Sequence, residues 1–348
     1  VDFNELQKTL DNKGMMSLVE TFPAQMQEAW SLGKEFADSL RKDDYSRILL
    51  CGMGGSAIAG DMVRSCLGNG LEVPLVVSRR YDIPAYLARG ALCIVSSYSG
   101  NTGETLLSYE AVRPHAKTLI AVTGGGKLEE LCSRDRIPLC KIPSGMPPRA
   151  AIAYSFFPTL LAVNAAGLCR ASEEEFFTAK AHLEQVCTEY SLTHEGNRAV
   201  QVAQALQGRI PFVYSAGILC EAVARRWCCQ INENSKSLAH FASFTELNHN
   251  EIVGWECPAH LLKNIAIVSL EDEQDHELAK RQRDICLGIL EPLSAGVLRI
   301  ETIGDNRMAR VLSAMILGDF ASVYLALLNG VDPTPVEKIE YLKSQLHS

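Results

Sequence analysis

Short apolar runs that break into glycine and hydroxyl residues, each followed by a helix-length segment, set the organisation of this chain. Residues 92–95 are four β-prone side chains that give way at 96–105, SSYSGNTGET, to hydroxyls, glycine and asparagine, and then to the helix-compatible Glu104, Thr105, Leu106 and Leu107. That is the pattern of a strand, a tight loop and a helix start. Residues 47–51 run in the same way into GMGGSAIAGDM, where Gly52, Gly54 and Gly55 make a strand-to-helix turn and a helix is expected from about 56 to 66. Further β-rich runs stand at 75–77, 118–122 and 139–142, with helical segments between several of them. Alternation of this kind predicts an α/β fold, a doubly wound parallel sheet flanked by helices.

Outside these runs the chain reads as helical over residues 2–42, with a break around Pro23, and over 150–190, with a break near Gly167. The second half begins the pattern again. RILLCGMGGSAIAGDMVR from Arg47 aligns with RIPFVYSAGILCEAVARR from Arg209 at an offset of 162, with Gly55 over Gly217 and Arg64 over Arg226. Ile94, Val95 and Ser96 align with Ile267, Val268 and Ser269. A duplicated α/β domain follows. The expected organisation is an N-terminal helical segment (1–45), a first domain (46–170), and linking helices with a second domain and a C-terminal helix (171–348).

Both glycine and hydroxyl turns fall where open parallel sheets bind ligands, beyond the carboxyl ends of strands. In residues 96–105, Ser97, Ser99 and Thr102 offer hydroxyls beside a helix N-terminus, and the stretch holds no lysine or arginine. It reads as an anion cradle of neutral donors or, equally, as an ordinary N-cap with Ser/Thr turn chemistry. Ser56 offers a hydroxyl in the first turn. Neither the dinucleotide fingerprint nor a Walker lysine is present. In the second copy the matching strand leads into EDEQDH, an acidic turn that would repel phosphate, so only the first copy is expected to anchor one.

A length of 348 residues fits two domains, and 47% hydrophobic with 21% charged residues fits a soluble globular chain. The net charge of -8 argues against general binding to nucleic acid or a membrane surface. None of the twelve cysteines has CxxC spacing, and they read as small core residues in a reducing cytoplasm. The apolar stretch 315–328, interrupted by Gly318 and Asp319, is expected to be a buried helix and is too short to span a bilayer. The start, VDFNELQKTLDNKG, has no apolar targeting core.

Four polar clusters remain. PPRAAIAYS places Arg149 after two prolines and at the start of a predicted helix. QINENSK, residues 230–236, ends a helix and carries Glu233. ELNHNEIVGW, residues 246–255, opens another with His249 in its first turn. PTPVEKIEYLKSQL, residues 333–346, carries Thr334 and Lys343. Each has an ordinary structural role available: an ion pair for Arg149, a solvated helix end for Glu233, a cap for His249, a surface charge for Lys343. Local spacing does not choose among Glu233, Glu246 and Glu251 as a working carboxylate.

Taken together, GMGGSAIAG, SSYSGNT, PPRA, QINENSK, ELNHNEIVGW and the terminal helix resemble the sugar isomerase (SIS) fold, and within it the bifunctional phosphoglucose/phosphomannose isomerases. The resemblance implies an aldose-ketose isomerase for glucose, mannose and fructose 6-phosphates that needs neither metal nor cofactor. It implies that Ser97, Ser99 and Thr102 bind phosphate while Gly54, Gly55 and Ser56 line the sugar. Glu233 would carry the proton between C1 and C2, and Arg149 would stabilise the enediolate. His249 and Lys343 would open the pyranose ring, and Thr334 would help admit the mannose epimer. It further implies a homodimer in which His249 serves the neighbouring subunit's site. The alternatives are a sugar-phosphate sensor and an amino-sugar phosphate isomerase.

Overall fold

The computed structural model describes residues 1–192 and 196–346. The chain divides into two compact units, one of residues 21–183 and 304–311, the other of residues 1–20, 184–303 and 312–348. The segment 1–45 is therefore shared between the units and does not stand apart. Its helices are too short to hold a core of their own. Phe3 in helix Phe3–Leu10 packs edge-on against Tyr324 at 5.2 Å, and helix Phe22–Ala37 packs along helix Ile152–Ala165. Pro23 lies in the first turn of Phe22–Ala37, where its missing N–H costs nothing, so it starts that helix. The first unit also extends past residue 170 to residue 183, because Phe176 stacks on Trp30 at 4.1 Å.

The first unit holds five parallel strands, β1 (Arg47–Cys51), β2 (Leu75–Ser78), β3 (Ala91–Ser97), β4 (Thr118–Thr123) and β5 (Leu139–Lys141), in the order β2-β1-β3-β4-β5. Ile48 is in register with both Leu75 and Leu92, and Leu92 with Thr118. Alternate residues serve opposite faces. Leu49, Cys51, Cys93 and Val95 pack with Tyr109, Val112, Leu128 and Leu131 of the helices Gly103–Val112 and Gly126–Asp135. Helices Phe22–Ala37, Gly54–Leu67 and Ile152–Ala165 pack on one another beside the sheet. Because β1 and β3 are neighbours at the point where strand order reverses, their carboxyl-end turns lie side by side.

The second unit repeats the plan with four parallel strands, β6 (Ile210–Ser215), β7 (His240–Ser243), β8 (Ile265–Glu271) and β9 (Val297–Glu301), in the order β7-β6-β8-β9. This matches β2-β1-β3-β4 and bears out the duplication. The sequence alignment is two residues out at the helix start: Gly55 is the second residue of its helix, whereas Gly217 caps helix Ile218–Asn234 from outside. β7 and β9 were not legible as strands. Both are edge strands with half-exposed faces, so their side chains carry little apolar alternation. Tyr214, Phe244, Trp255, Ile267 and Leu287 centre this unit's core.

The apolar stretch at 315–328 belongs to a longer helix, Arg307–Leu328. It is the only described helix long and apolar enough to cross a membrane, yet 94% of its apolar window is buried. None of the twelve cysteines is in a disulfide; ten are buried, Cys229 is half-buried and Cys257 is exposed. Burial pushes the Cys66, Cys93 and Cys140 thiols up to about 12, which leaves them unreactive core residues.

Candidate active site

In the first unit three segments meet at the carboxyl ends of β1 and β3. Ser56, 5% exposed in the first turn of Gly54–Leu67, accepts the Tyr98 amide at 3.2 Å and so fastens one turn to the other. Ser97, 2% exposed, accepts the Gly100 amide at 3.1 Å and donates to Thr102 Oγ1 at 3.2 Å. Ser99 is exposed, its hydroxyl accepting the Asn101 amide at 3.2 Å, and Thr102 caps Gly103–Val112. Ser56 and Ser97 thus shape the loop from beneath, while Ser99 and Gly103 are exposed.

Arg149 arrives through a close approach. A Cβ on Gly55 would lie 3.0 Å from the carbonyl oxygen of Pro148, so the absence of a side chain at residue 55 lets the short helix Pro148–Ala150 lie close against the glycine turn. Arg149 is 5% exposed and stands just before helix Ile152–Ala165. Tyr98, which the sequence reading passed over, holds the approach to this segment: its hydroxyl accepts the Met146 amide at 3.1 Å. An aromatic residue inside a loop of small polar ones was the available signal.

In the second unit Glu233 lies, half-buried, in the last turn of Ile218–Asn234. Several bonds hold this helix end. Asn234 Nδ2 donates to Ser322 Oγ at 2.9 Å, and Ser235 Oγ donates to the Ser322 carbonyl at 2.7 Å. One turn back, Arg226 and Gln230 donate to the buried Asp319 carboxylate at 2.7 to 3.0 Å. Lys236 joins the end of the same helix to the segment before Thr334, donating to the Glu233 carbonyl at 2.6 Å and the Pro333 carbonyl at 3.1 Å. The Glu233 and Pro333 carbonyls are therefore linked through one ammonium group. Thr334 is 9% exposed.

His249 is not in the first turn of a helix. It occupies the exposed turn between the short helices Phe244–Leu247 and Glu251–Gly254, because Asn250, and not the preceding glutamate, caps the second of them. The turn is tied to the sheet by Glu251, which accepts His240 Nε2 of β7 at 2.9 Å and the Tyr214 hydroxyl of β6. Burial alone pushes the Glu251 carboxyl up, but the bonds from His240 and Tyr214 outweigh it and hold the group below its ordinary value. Burial and the Glu251 charge push the Tyr214 hydroxyl far up. With both oxygens engaged, Glu251 is a structural brace. Glu246 is exposed and accepts the Asn250 amide group at 2.7 Å. Lys343 is exposed on helix Glu337–Leu346, which has no buried residue. His249, Lys343 and Glu233 thus sit on three separate elements, and of these it is the helix end carrying Glu233 that Lys236 ties to the Thr334 segment.

Residues 195–346 match the family model of the bacterial phospho-glucose isomerase C-terminal SIS domain. The chain is 39% identical over 334 residues to the bifunctional phosphoglucose/phosphomannose isomerase of Caldicellulosiruptor bescii, covering 95% of this chain and 98% of that one. It is 32% identical over 329 residues to the enzyme of the same name from Aquifex aeolicus, covering 92% and 99%. Among solved structures, a hypothetical protein from Thermus thermophilus superposes with a TM-score of 0.75 over 99% of this chain and 92% of that one, at 13% identity, a likeness of fold. On the full-length identity to relatives of one name, the chain belongs to the bifunctional phosphoglucose/phosphomannose isomerase family.

Proposed function

We propose that this chain interconverts glucose 6-phosphate and mannose 6-phosphate with fructose 6-phosphate. The observation that carries the reading is the near full-length match to relatives named for both activities. The hydroxyl-and-amide loop after β3 supports the phosphate class. The N-terminus of helix Gly103–Val112, with Ser99 and Thr102, suits a phosphate dianion, and Ser97 holds their geometry. Gly54 and Gly55 line the sugar, and Ser56 holds their turn from beneath.

The chemistry needs a carboxylate poised over two adjacent carbons. Glu233 removes the C1 proton of the ketose, the C1–H electrons form a C1=C2 bond, and the C2 carbonyl oxygen becomes the enediolate oxyanion. Arg149 supplies the fixed cation that stabilises it. Return of the proton to C2, with the O1 proton passing to the O2 oxyanion as the C1 carbonyl forms, completes the aldose. Delivery to one face of C2 gives glucose and to the other mannose. His249 and Lys343 act as acid and base in opening the ring, and Thr334 favours the mannose epimer. The protein works as a homodimer in which His249 serves the neighbouring subunit's site, and it acts in the cytoplasm.

Incubating the protein with fructose 6-phosphate in EDTA should yield both aldose phosphates, and Glu233→Gln should abolish solvent exchange at C2 while retaining ligand affinity. Fructose 6-phosphate bound but unconverted would leave a sensor. Mixing His249→Ala with Glu233→Gln subunits should restore part of the activity; no recovery would place both residues in the same subunit's site.

A further inference from the structure

Helix Ile218–Asn234 ends without the glycine or asparagine usual at such a stop. Lys236 takes the left-handed position itself, with φ of 55°. That backbone conformation is unfavourable for a residue carrying a Cβ, so the side chain must return something a glycine could not. Its ammonium has three donors and meets three carbonyl acceptors: Glu233 at 2.6 Å, Asn234 at 3.3 Å and Pro333 at 3.1 Å. Two of these are carbonyls of the helix's last turn, where a cation is also favoured by the helix dipole. The third belongs to the residue preceding Thr334, 97 positions along the chain. Asn329 repeats the connection beside it, donating to the Ser235 carbonyl at 3.0 Å.

We propose that Lys236 is a positioning residue for Glu233, locking the end of its helix to the Pro333–Thr334 segment and thereby setting which face of C2 receives the proton. The proposal rests on the reading of Glu233 as the base. The chemistry makes the consequence specific. Glucose and mannose 6-phosphates differ only in configuration at C2, so the product ratio from a common enediolate reports where the carboxyl sits over that carbon. A residue that merely supported the fold would change yield and leave that ratio alone.

Lys236→Gly separates the two roles, because glycine relieves the left-handed backbone while removing the tether. With fructose 6-phosphate as substrate, Lys236→Gly should keep the melting temperature at or above that of the parent protein and keep KM within about threefold. Its kcat should fall about 10- to 100-fold, the scale set by misplacing a reacting group. The ratio of glucose to mannose 6-phosphate at low conversion should shift, and Lys236→Arg should move it back toward the parent value. Lys236→Asn, which tolerates the same backbone, repeats the measurement should the glycine variant prove unstable. A parental product ratio in the folded glycine or asparagine variant overturns the proposal. Failure of the underlying reading shows separately, as product formation or C2 exchange that survives Glu233→Gln.

Discussion

The carboxylate of Asp275 lies directly against Gly217: a Cβ at Gly217 would stand 2.1 Å from Asp275 Oδ1. Gly217 caps helix Ile218–Asn234, and Asp275 comes from the turn after β8. The corresponding turn after β3 donates its Tyr98 amide to the Ser56 hydroxyl at the other glycine-rich helix start. In the second unit the chain's own carboxylate occupies that position. Asp275 accepts the Asp272 amide at 3.1 Å, and burial pushes its carboxyl up. The acidic turn is thus an internal fitting of the second copy, consistent with an anion cradle in the first copy alone.

Gly217→Ala should displace Asp275 and lower stability by about 1 to 3 kcal/mol, the usual cost of overpacking. Urea unfolding measures it. Because the clash is with one side chain, Gly217→Ala with Asp275→Ser should cost less than the sum of the single changes, by at least about 0.5 kcal/mol. Additive costs would place the strain in the backbone.

Ser99 and Thr102 stand at the outer side of the loop after β3, whereas Ser56 and Ser97 are buried beneath it. The double variant Ser99→Ala/Thr102→Val should therefore weaken phosphosugar binding about 10- to 100-fold, the loss expected for hydrogen bonds to a charged group, with little effect on unfolding. Ser97→Ala should instead loosen the loop and lower kcat as well as affinity. Steady-state kinetics on fructose 6-phosphate separates the two patterns.

Glu251 braces the turn that carries His249, and its folded-state pKa is below the ordinary 4.5. A depressed carboxylate contributes stability that is fully present above the unfolded value and is lost as pH falls through the folded one. Glu251→Gln should cost about 1 to 2 kcal/mol at pH 7, as for hydrogen bonds to a charged group. The gap between variant and parent should close as the pH falls below the unfolded value and through the folded one. Urea titrations from neutral pH down through the carboxylate range test the trend, and a gap independent of pH would deny that the charged form makes the brace.

Asp319 and Arg226 are 3% and 2% exposed and meet through two bonds, with Gln230 as a third partner. Burial pushes Asp319 up, and Arg226 pulls it back. Asp319→Ala removes the carboxylate that holds the buried Arg226 guanidinium and should cost about 3 to 5 kcal/mol, whereas replacing both residues by apolar ones of similar volume should cost less. Thermal unfolding of the single and double variants decides this. The pair lies one to two turns behind Glu233, so the single variant should also lower kcat.

Local physics was enough to read the first sheet and the turns that follow β1 and β3 from the chain alone. The runs at 48–51, 92–95 and 119–122 are buried on both faces, so they are continuously apolar, and each breaks sharply into residues that favour turns. The duplication was legible for the same reason. The edge strands β7 and β9 were not, because a half-exposed strand needs no apolar run. Residue type and spacing also placed Glu233 at a helix end, but left Glu246 and Glu251 as equals. The tertiary structure sets Glu251 apart, by bringing His240 and Tyr214 from two strands onto it. The same holds for Lys236, whose acceptors lie three residues back and 97 residues ahead. Periodicity and turn chemistry act over a few residues and are written locally in the sequence. Which distant carbonyl or hydroxyl completes a charged group is decided by packing, and packing is a property of the folded chain.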